Sequence, residues 1–231
     1  LGGNFDKTGS TIRNYIAKVA ASNAAVQTWS PQTNQVVYEI TRNGSDVMIG
    51  GSFTYLKYAN RNYLAYIDKA TGLVGDWNPN ADYIVYGIAY NSSRVYAVGA
   101  FDNVGGVSHP GAAAFLLSNL NLDTWNPQLS FNGSSTQADL RAVYADDNNV
   151  FLGGNLDKVN VSDRKYIAQV NPTTAAVKSW DPSANAIVYT IAKSGSNYVA
   201  GGAFTYMKGA ARNYLAAIDA TTGLVTDWNP G

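Results

Sequence analysis

Short runs of apolar and aromatic residues, separated by small polar turns, follow one another along the whole chain. The stretch 80–127 shows the pattern: YIVYGIAY, an Asn-Ser-Ser turn, RVYAVGAF, a glycine-containing loop, AAAFLL, and a last short run that ends at Trp125. Runs this short, rich in β-branched and aromatic residues and bounded by Gly, Asn and Pro, are typical of strands. Several of them are apolar on both faces, which favours small sheets that are covered on both sides.

The same pattern repeats with a period of 48 residues. A Trp-x-Pro signature closes each repeat, and the spacings between its tryptophans are 48, 48, 55 and 48 residues. A second marker keeps the same steps: Phe5, Phe53, Phe101, Leu156 and Phe204. The repeat units are therefore 1–31 (partial), 32–79, 80–127, 128–182 and 183–231, with the extra seven residues between Pro127 and Leu140.

Four strands per unit of this length predict a β-propeller blade. We therefore expect an all-β fold and one domain over 1–231, with five four-stranded blades. The first blade lacks its inner strand, because Leu1 aligns with Ala97 of the third unit. From this we expect either a chain that belongs to a longer array or a neighbouring molecule that donates the missing strand, since open sheet edges invite pairing.

The second and fifth units share the sequence pattern GG.F…RNYLA.ID..TGLV.DWNP, best matched at 61–79 and 212–230. This pattern is similar to the delta-60, or Trp-Asn-Pro, repeat of microbial proteins. The third unit departs from it, with HPGAAAF in place of RNYLAYI. The resemblance implies a β-propeller in a large secreted or surface protein, and it carries no general enzymatic activity.

Composition narrows the classes of partner. The chain has 16 basic and 16 acidic side chains, and only 14% of its residues are charged, against about 25% in an average soluble protein. Nothing here indicates a nucleic-acid partner, which needs a basic patch. The longest apolar stretch has about seven residues, so we expect no membrane insertion. Low charge with abundant Tyr, Asn and Thr favours an extracellular or cell-surface location.

Residues that recur in every unit are candidates for one rim of the propeller. An arginine stands at the same place in four units. It either contacts anions or sugars, or it fixes its own loop by hydrogen bonds. We favour the second, structural role for these rim residues. The arginines are Arg13, Arg61, Arg164 and Arg212, and the tryptophans are Trp29, Trp77, Trp125, Trp180 and Trp228. His109, the only histidine, replaces the arginine in the third unit and is expected to be a loop residue.

No motif indicates catalysis, a cofactor or a metal. Asp139, Asp146, Asp147 and Asn148 hint at calcium, but they lack the spacing of a calcium-binding loop. We therefore expect no catalytic residue, no cofactor and no metal site. Four Asn-x-Ser/Thr sequons are candidate glycosylation sites: Asn43, Asn91, Asn132 and Asn160.

The insertion in the fourth unit, SFNGSSTQ, is the one place where the repeat symmetry is broken. Loops on rigid scaffolds are where binding usually resides. The insertion is therefore the candidate binding loop, through Phe131, Asn132, Ser134 and Thr136.

These observations leave three functions open. The first is a non-enzymatic extracellular module for surface assembly or adhesion, whose partners are other proteins or further copies of itself. The second is a carbohydrate-binding propeller, and the third is an enzyme with a site at the central channel, for which no residue argues.

Overall fold

The computed structural model describes residues 1–44, 46–134 and 138–231 and is built entirely from strands and connecting segments. The first and second units contain β1 (Lys7–Thr8), β2 (Thr11–Ile12), β3 (Val37–Asn43), β4 (Asp46–Gly51), β5 (Tyr55–Leu56), β6 (Ala59–Asn60) and β7 (Leu64–Asp68). The third contains β8 (Val85–Tyr90), β9 (Arg94–Gly99), β10 (Asn103–Val104), β11 (Val107–Ser108) and β12 (Ala112–Leu116). The fourth contains β13 (Leu129–Ser130), β14 (Asp139–Ala145), β15 (Val150–Asn155), β16 (Lys158–Val159), β17 (Ser162–Asp163) and β18 (Ile167–Val170). The fifth contains β19 (Val188–Ser194), β20 (Asn197–Gly202), β21 (Tyr206–Met207), β22 (Ala210–Ala211) and β23 (Leu215–Asp219). Within these ranges no helix occurs that could span a membrane.

Units two to five each form an antiparallel sheet with the same strand order: β3-β4-β7, β8-β9-β12, β14-β15-β18 and β19-β20-β23. The first strands of neighbouring units contact one another, from β3 through β8 and β14 to β19. These sheets have three strands rather than the four that we expected. The fourth run of each unit makes a single bridge to the third strand: Ile67–Val74, Phe115–Leu122, Val170–Val177 and Ile218–Val225.

The fourth run is short because the chain leaves the sheet to reach the next unit. The indole nitrogen of Trp29 donates a hydrogen bond to the carbonyl of Asp68, 39 residues further on, at 3.0 Å. Trp77 donates to the carbonyl of Leu120, four residues beyond the equivalent position, at 2.9 Å, and the contact at the equivalent position recurs from Trp125 to Asn171 and from Trp180 to Asp219, at 3.0 Å. We call this contact the tryptophan junction. It buries the indole ring between consecutive units, with Trp29, Trp125 and Trp180 only 8%, 1% and 3% exposed.

The first unit contains the counterparts of the later runs. Gly2 bridges to Ile16, and Val19 bridges to Val26. Gly2 lies so close to the second unit that an added Cβ would be 2.9 Å from Ile40 and 3.0 Å from Val37. The same approach recurs where Gly50 faces the third unit and Gly153 faces the fifth. In the Gly-Gly pairs at 2–3, 50–51 and 153–154, the first glycine therefore makes room for the next sheet.

The glycine at the following position of units two to five serves its own unit. It lies at or beside the end of the second strand, where an added Cβ would overlap a carbonyl oxygen that precedes or lies in the first strand. The positions are Gly51, Gly99, Gly154 and Gly202, facing Val36, Ile84, Asp139 and Ile187. A rotamer change cannot relieve such an overlap, because the backbone fixes the position of the Cβ and the carbonyl oxygen is itself a backbone atom.

The close approach at this glycine generates a prediction. Gly99→Ala is expected to lower the free energy of unfolding by about 3 kcal/mol, at the upper end of overpacking costs, measured by urea denaturation. The control is Gly87→Ala, whose new Cβ meets mainly side-chain atoms and whose counterpart in the fourth unit is Ala142. The control is expected to cost less than about 1 kcal/mol. Equal losses in the two variants would contradict this account.

Candidate functional site

The four repeated arginines bind carbonyls of their own units. Arg61 donates from Nη1 to the carbonyl of Asn60 and from Nη2 to that of Gly75, at 2.8 and 2.7 Å. Arg13, Arg164 and Arg212 repeat both bonds. Each guanidinium thereby joins the loop before the third strand to the fourth run. This geometry suits the anchoring role that we favoured over an anion- or sugar-binding ring.

His109 holds the arginine position in the third unit. Its backbone N–H donates to Asp102, as that of Arg61 does to Thr54. The side chain is 4% exposed, and its Nδ1 has no hydrogen-bond partner. Burial lowers the pKa of His109 below its ordinary value, although a bond with Ala112 and the charge of Asp123 act in the opposite direction. Burial therefore favours the neutral form of the imidazole.

A tyrosine with left-handed backbone precedes the third strand in four units: Tyr15, Tyr63, Tyr166 and Tyr214, with φ of 63–65°. A bulky residue in this region is an outlier that its surroundings must hold in place. Here the amide of Tyr166 donates to Leu156 and its carbonyl accepts from Gly154, at 2.9 and 3.0 Å. The third unit has Gly111 at this place, which explains why its sequence departs from the pattern.

The inserted loop forms one wall of a groove between the fourth and fifth units. Phe131 lies beside Tyr166, with ring centroids 6.0 Å apart. In the second and third units, Tyr83 occupies the corresponding place beside Tyr63, at 6.1 Å. The groove has a volume of about 730 Å³, and Tyr206 and Lys208 of the fifth unit are on its other wall. The insertion thus replaces a neighbouring unit's ring with one of its own and opens a cleft.

Some polar groups of the groove form hydrogen bonds within the protein, whereas others have exposed side chains. Asp157 accepts from the hydroxyl of Ser130 and the amide of Asn132, and Lys208 donates to a backbone carbonyl. The exposed Lys165 and the exposed side chain of Asn132 line the groove. The groove therefore combines the rings of Phe131, Tyr166 and Tyr206 with an exposed cation and an exposed amide.

The candidate binding loop is described as far as Ser134. Phe131 and Ser134 exchange two backbone hydrogen bonds, at 2.9 and 3.0 Å, which close the loop into a tight turn. Asn132 is exposed, whereas Thr136 lies outside the described residues. Sequence reasoning singled out Phe131 and Asn132 but missed Tyr166 and the fifth-unit wall.

The acidic residues that hinted at calcium are not assembled into a site. Asp139 begins β14 and pairs with Arg141, whereas Asp146 follows the other end of that strand and accepts from the amides of its own turn. Asp147 accepts from Ser92 in the third unit. In the part of the chain that the structure describes, no group of three or more His, Cys, Asp or Glu residues is placed to hold a metal ion.

The sequons differ in accessibility. Asn91 is only 8% exposed, and its amide nitrogen donates to Tyr96 and Asp146. A glycan needs a free, exposed amide, which Asn91 does not offer. Asn160 is half-buried and donates to Ala175, and Asn132 is exposed. Asn43 ends β3, and its side chain lies outside the described atoms.

A second surface was not predicted from the sequence. Each first strand has a bulge after its first or second residue, and the residue at the irregularity is Tyr38, Tyr86, Arg141 or Tyr189. The Tyr38 and Tyr86 rings are 5.2 Å apart, and the guanidinium of Arg141 is 3.9 Å from the Tyr86 ring. Tyr38 and Tyr189 are half exposed. The recurring V-Y before the apolar run was the available signal; we call these four residues the tyrosine row.

No protein-family model and no curated protein matches the chain. Among solved structures it resembles a chain of the mitotic checkpoint complex, with a TM-score of 0.59 and 14% identity, covering 90% of this chain and 55% of that one. It also resembles the extracellular domain of a protein named as the hybrid two component system BT4673 of B. thetaiotaomicron, with a TM-score of 0.51 and 15% identity, covering 90% and 24%. The chain thus spans about half of the first structure and a quarter of the second. Together with the all-strand architecture, these likenesses show a β-propeller-like fold.

The buried histidine generates a prediction about pH. Because the folded-state pKa of His109 is lowered, its contribution to stability is fully present above pH of about 6.5 and is lost as the pH falls from there through the folded value. The unfolding midpoint of the wild type should therefore fall more between pH 7.5 and pH 5 than that of His109→Gln. Parallel losses in the two proteins would assign the pH dependence to other groups.

Proposed function

We propose that the chain is a non-enzymatic binding module of an extracellular or cell-surface protein, used for assembly or adhesion. The observation that carries the proposal is the groove beside the inserted loop, where the repeat symmetry is broken and apolar surface is left open. Phe131, Tyr166 and Tyr206 supply this surface. Aromatic residues in a partly enclosed groove are the usual anchors of protein–protein contacts. The ligand class that fits is an exposed apolar or aromatic side chain of a partner protein, with Lys165 beside it for a carboxylate.

The setting is proposed on composition and on the resemblance to the delta-60 repeat. Few charges, abundant Tyr and Asn and the absence of Cys are compatible with a surface protein. The repeated arginines are engaged within their own loops, which leaves the inserted loop as the position for a specific contact.

Carbohydrate binding is the second candidate, and the tyrosine row favours it. Exposed rings on the first strands of the second and fifth units offer flat faces of the kind that sugar rings stack upon. Tyr38 is 49% exposed and Tyr189 is 53% exposed. The two candidates therefore use different residues and can be tested separately.

The test is selection of peptides from a displayed random library, followed by titration of the best binders. We expect enrichment of peptides with an aromatic or aliphatic anchor. Their affinity should fall at least tenfold in Phe131→Ala, which removes one wall of the groove, and it should be unchanged in Tyr83→Ala, which removes the equivalent ring at another junction.

A glycan array probed with the same proteins distinguishes carbohydrate binding from peptide binding. Binding that is lost in Tyr38→Ala and kept in Phe131→Ala would favour carbohydrate recognition at the tyrosine row. The groove proposal fails if no peptide is enriched, or if the enriched peptides bind Phe131→Ala as tightly as the wild type.

A further inference from the structure

The groove between the fourth and fifth units lacks a bond that closes the equivalent junction between the second and third. There the side-chain amide of Asn62 donates to the side-chain oxygen of Asn80 at 2.7 Å, from one unit to the next. The equivalent residues at the groove are Lys165 and Ser183, and both line it. The junction is thus open where a pair of amides has been replaced by a cation and a short hydroxyl.

Lys165 is a change that the fourth unit alone makes. Three other units have an asparagine at this position and the third has a proline: Asn14, Asn62, Asn213 and Pro110. The carbonyl of Lys165 accepts the amide of Ala184 at 3.1 Å, which fixes its backbone beside the groove. The residue is exposed, and its ammonium has no hydrogen bond or ion pair with any residue that the structure describes. Lys165 therefore presents an unpaired positive charge to an occupant of the groove.

The charges that line the groove are positive in balance. Among its described lining residues, Lys165 and Lys208 are cations and Asp157 is the one carboxylate. Asp157 already accepts two hydrogen bonds from its own unit, at 3.2 and 2.7 Å. Lys208 donates to one backbone carbonyl at 2.6 Å, and an ammonium has three donors. The nearby carboxylate of Asp181 lies 4.0 Å from the guanidinium of Arg164. The groove therefore has cationic donors to spare and no spare carboxylate.

We propose that the groove binds partner segments in which a carboxylate lies next to the aromatic or aliphatic anchor, and that Lys165 determines this preference. The anchor packs on the rings of Phe131, Tyr166 and Tyr206, and the carboxylate accepts from the Lys165 ammonium. Hydrogen bonds between two charged groups are stronger than neutral ones. The inference rests on the proposed function, because it assigns a specificity to the same groove. A side chain of the partner or the end of its chain supplies the carboxylate.

The test compares matched peptides in titrations of the 231-residue protein. Each peptide selected on the wild type is made in three forms: as selected, with its Asp or Glu changed to the corresponding amide, and with its carboxyl terminus amidated. Loss of the carboxylate should weaken binding about fivefold at low salt, the upper range for a solvent-exposed ion pair. The difference should shrink as salt is added, because screening weakens such a pair. The form that loses affinity identifies the source of the carboxylate.

Variants of the protein assign the preference to one residue. Lys165→Asn restores the residue that three other units have, so it is expected to fold. It should bind the neutral peptides as the wild type does and bind the acidic ones no better. Lys158→Asn is the control, since it removes the same charge from the same unit outside the groove, where Lys158 pairs with Asp163 at 3.4 Å. It should keep the preference, whereas Lys165→Glu should favour peptides with Lys or Arg beside the anchor. Circular dichroism checks that each variant is folded.

The outcomes separate this inference from the proposed function. Equal binding of the acidic and neutral forms to the wild type would overturn the inference and leave the groove as a peptide site. A preference that persists in Lys165→Asn, or that is lost equally in Lys158→Asn, would also overturn it. If no peptide binds at all, the proposed function fails and this inference fails with it.

Discussion

One hydrogen bond, from a tryptophan indole to a carbonyl in the following unit, ties the repeats together. It accounts for the Trp-x-Pro signature, because the ring must be carried out of its own sheet to reach a partner 39 residues or more away. It also accounts for the truncated fourth run, which makes one bridge before the chain leaves. Since small sheets covered on both sides cannot be stable alone, a contact that fixes each sheet against the next determines whether the array forms.

Repetition and its exceptions together indicate the surface that we propose for binding. Where the repeat is kept, recurring polar groups such as Arg61 bond within their own unit. Where it is broken, by Phe131 beside Tyr166, apolar surface opens to solvent. The groove that we propose for a partner therefore lies where the repeat is altered.

The period, the strand runs and the place of each turn could be predicted from the sequence, because glycine, proline and aromatic residues mark them locally. The departure at HPGAAAF became intelligible only with the backbone, since Gly111 takes a left-handed position that Tyr63 otherwise holds. The predicted fourth strand does not form, because the apolar residues near Val74 make a single β-bridge and not a ladder of paired residues. The groove and the tyrosine row join residues from different units, and such distances cannot be read from spacing along the chain.

The most direct test of the tryptophan junction compares Trp180→Phe with Trp228→Phe by urea unfolding, at a concentration where the protein is monomeric. Trp180→Phe should lower the free energy of unfolding by about 2 kcal/mol, through the lost hydrogen bond and the smaller buried ring. Trp228→Phe should change it by less than about 0.5 kcal/mol, because its ring is half exposed and its donor is unpaired. Equal effects of the two substitutions would contradict the account.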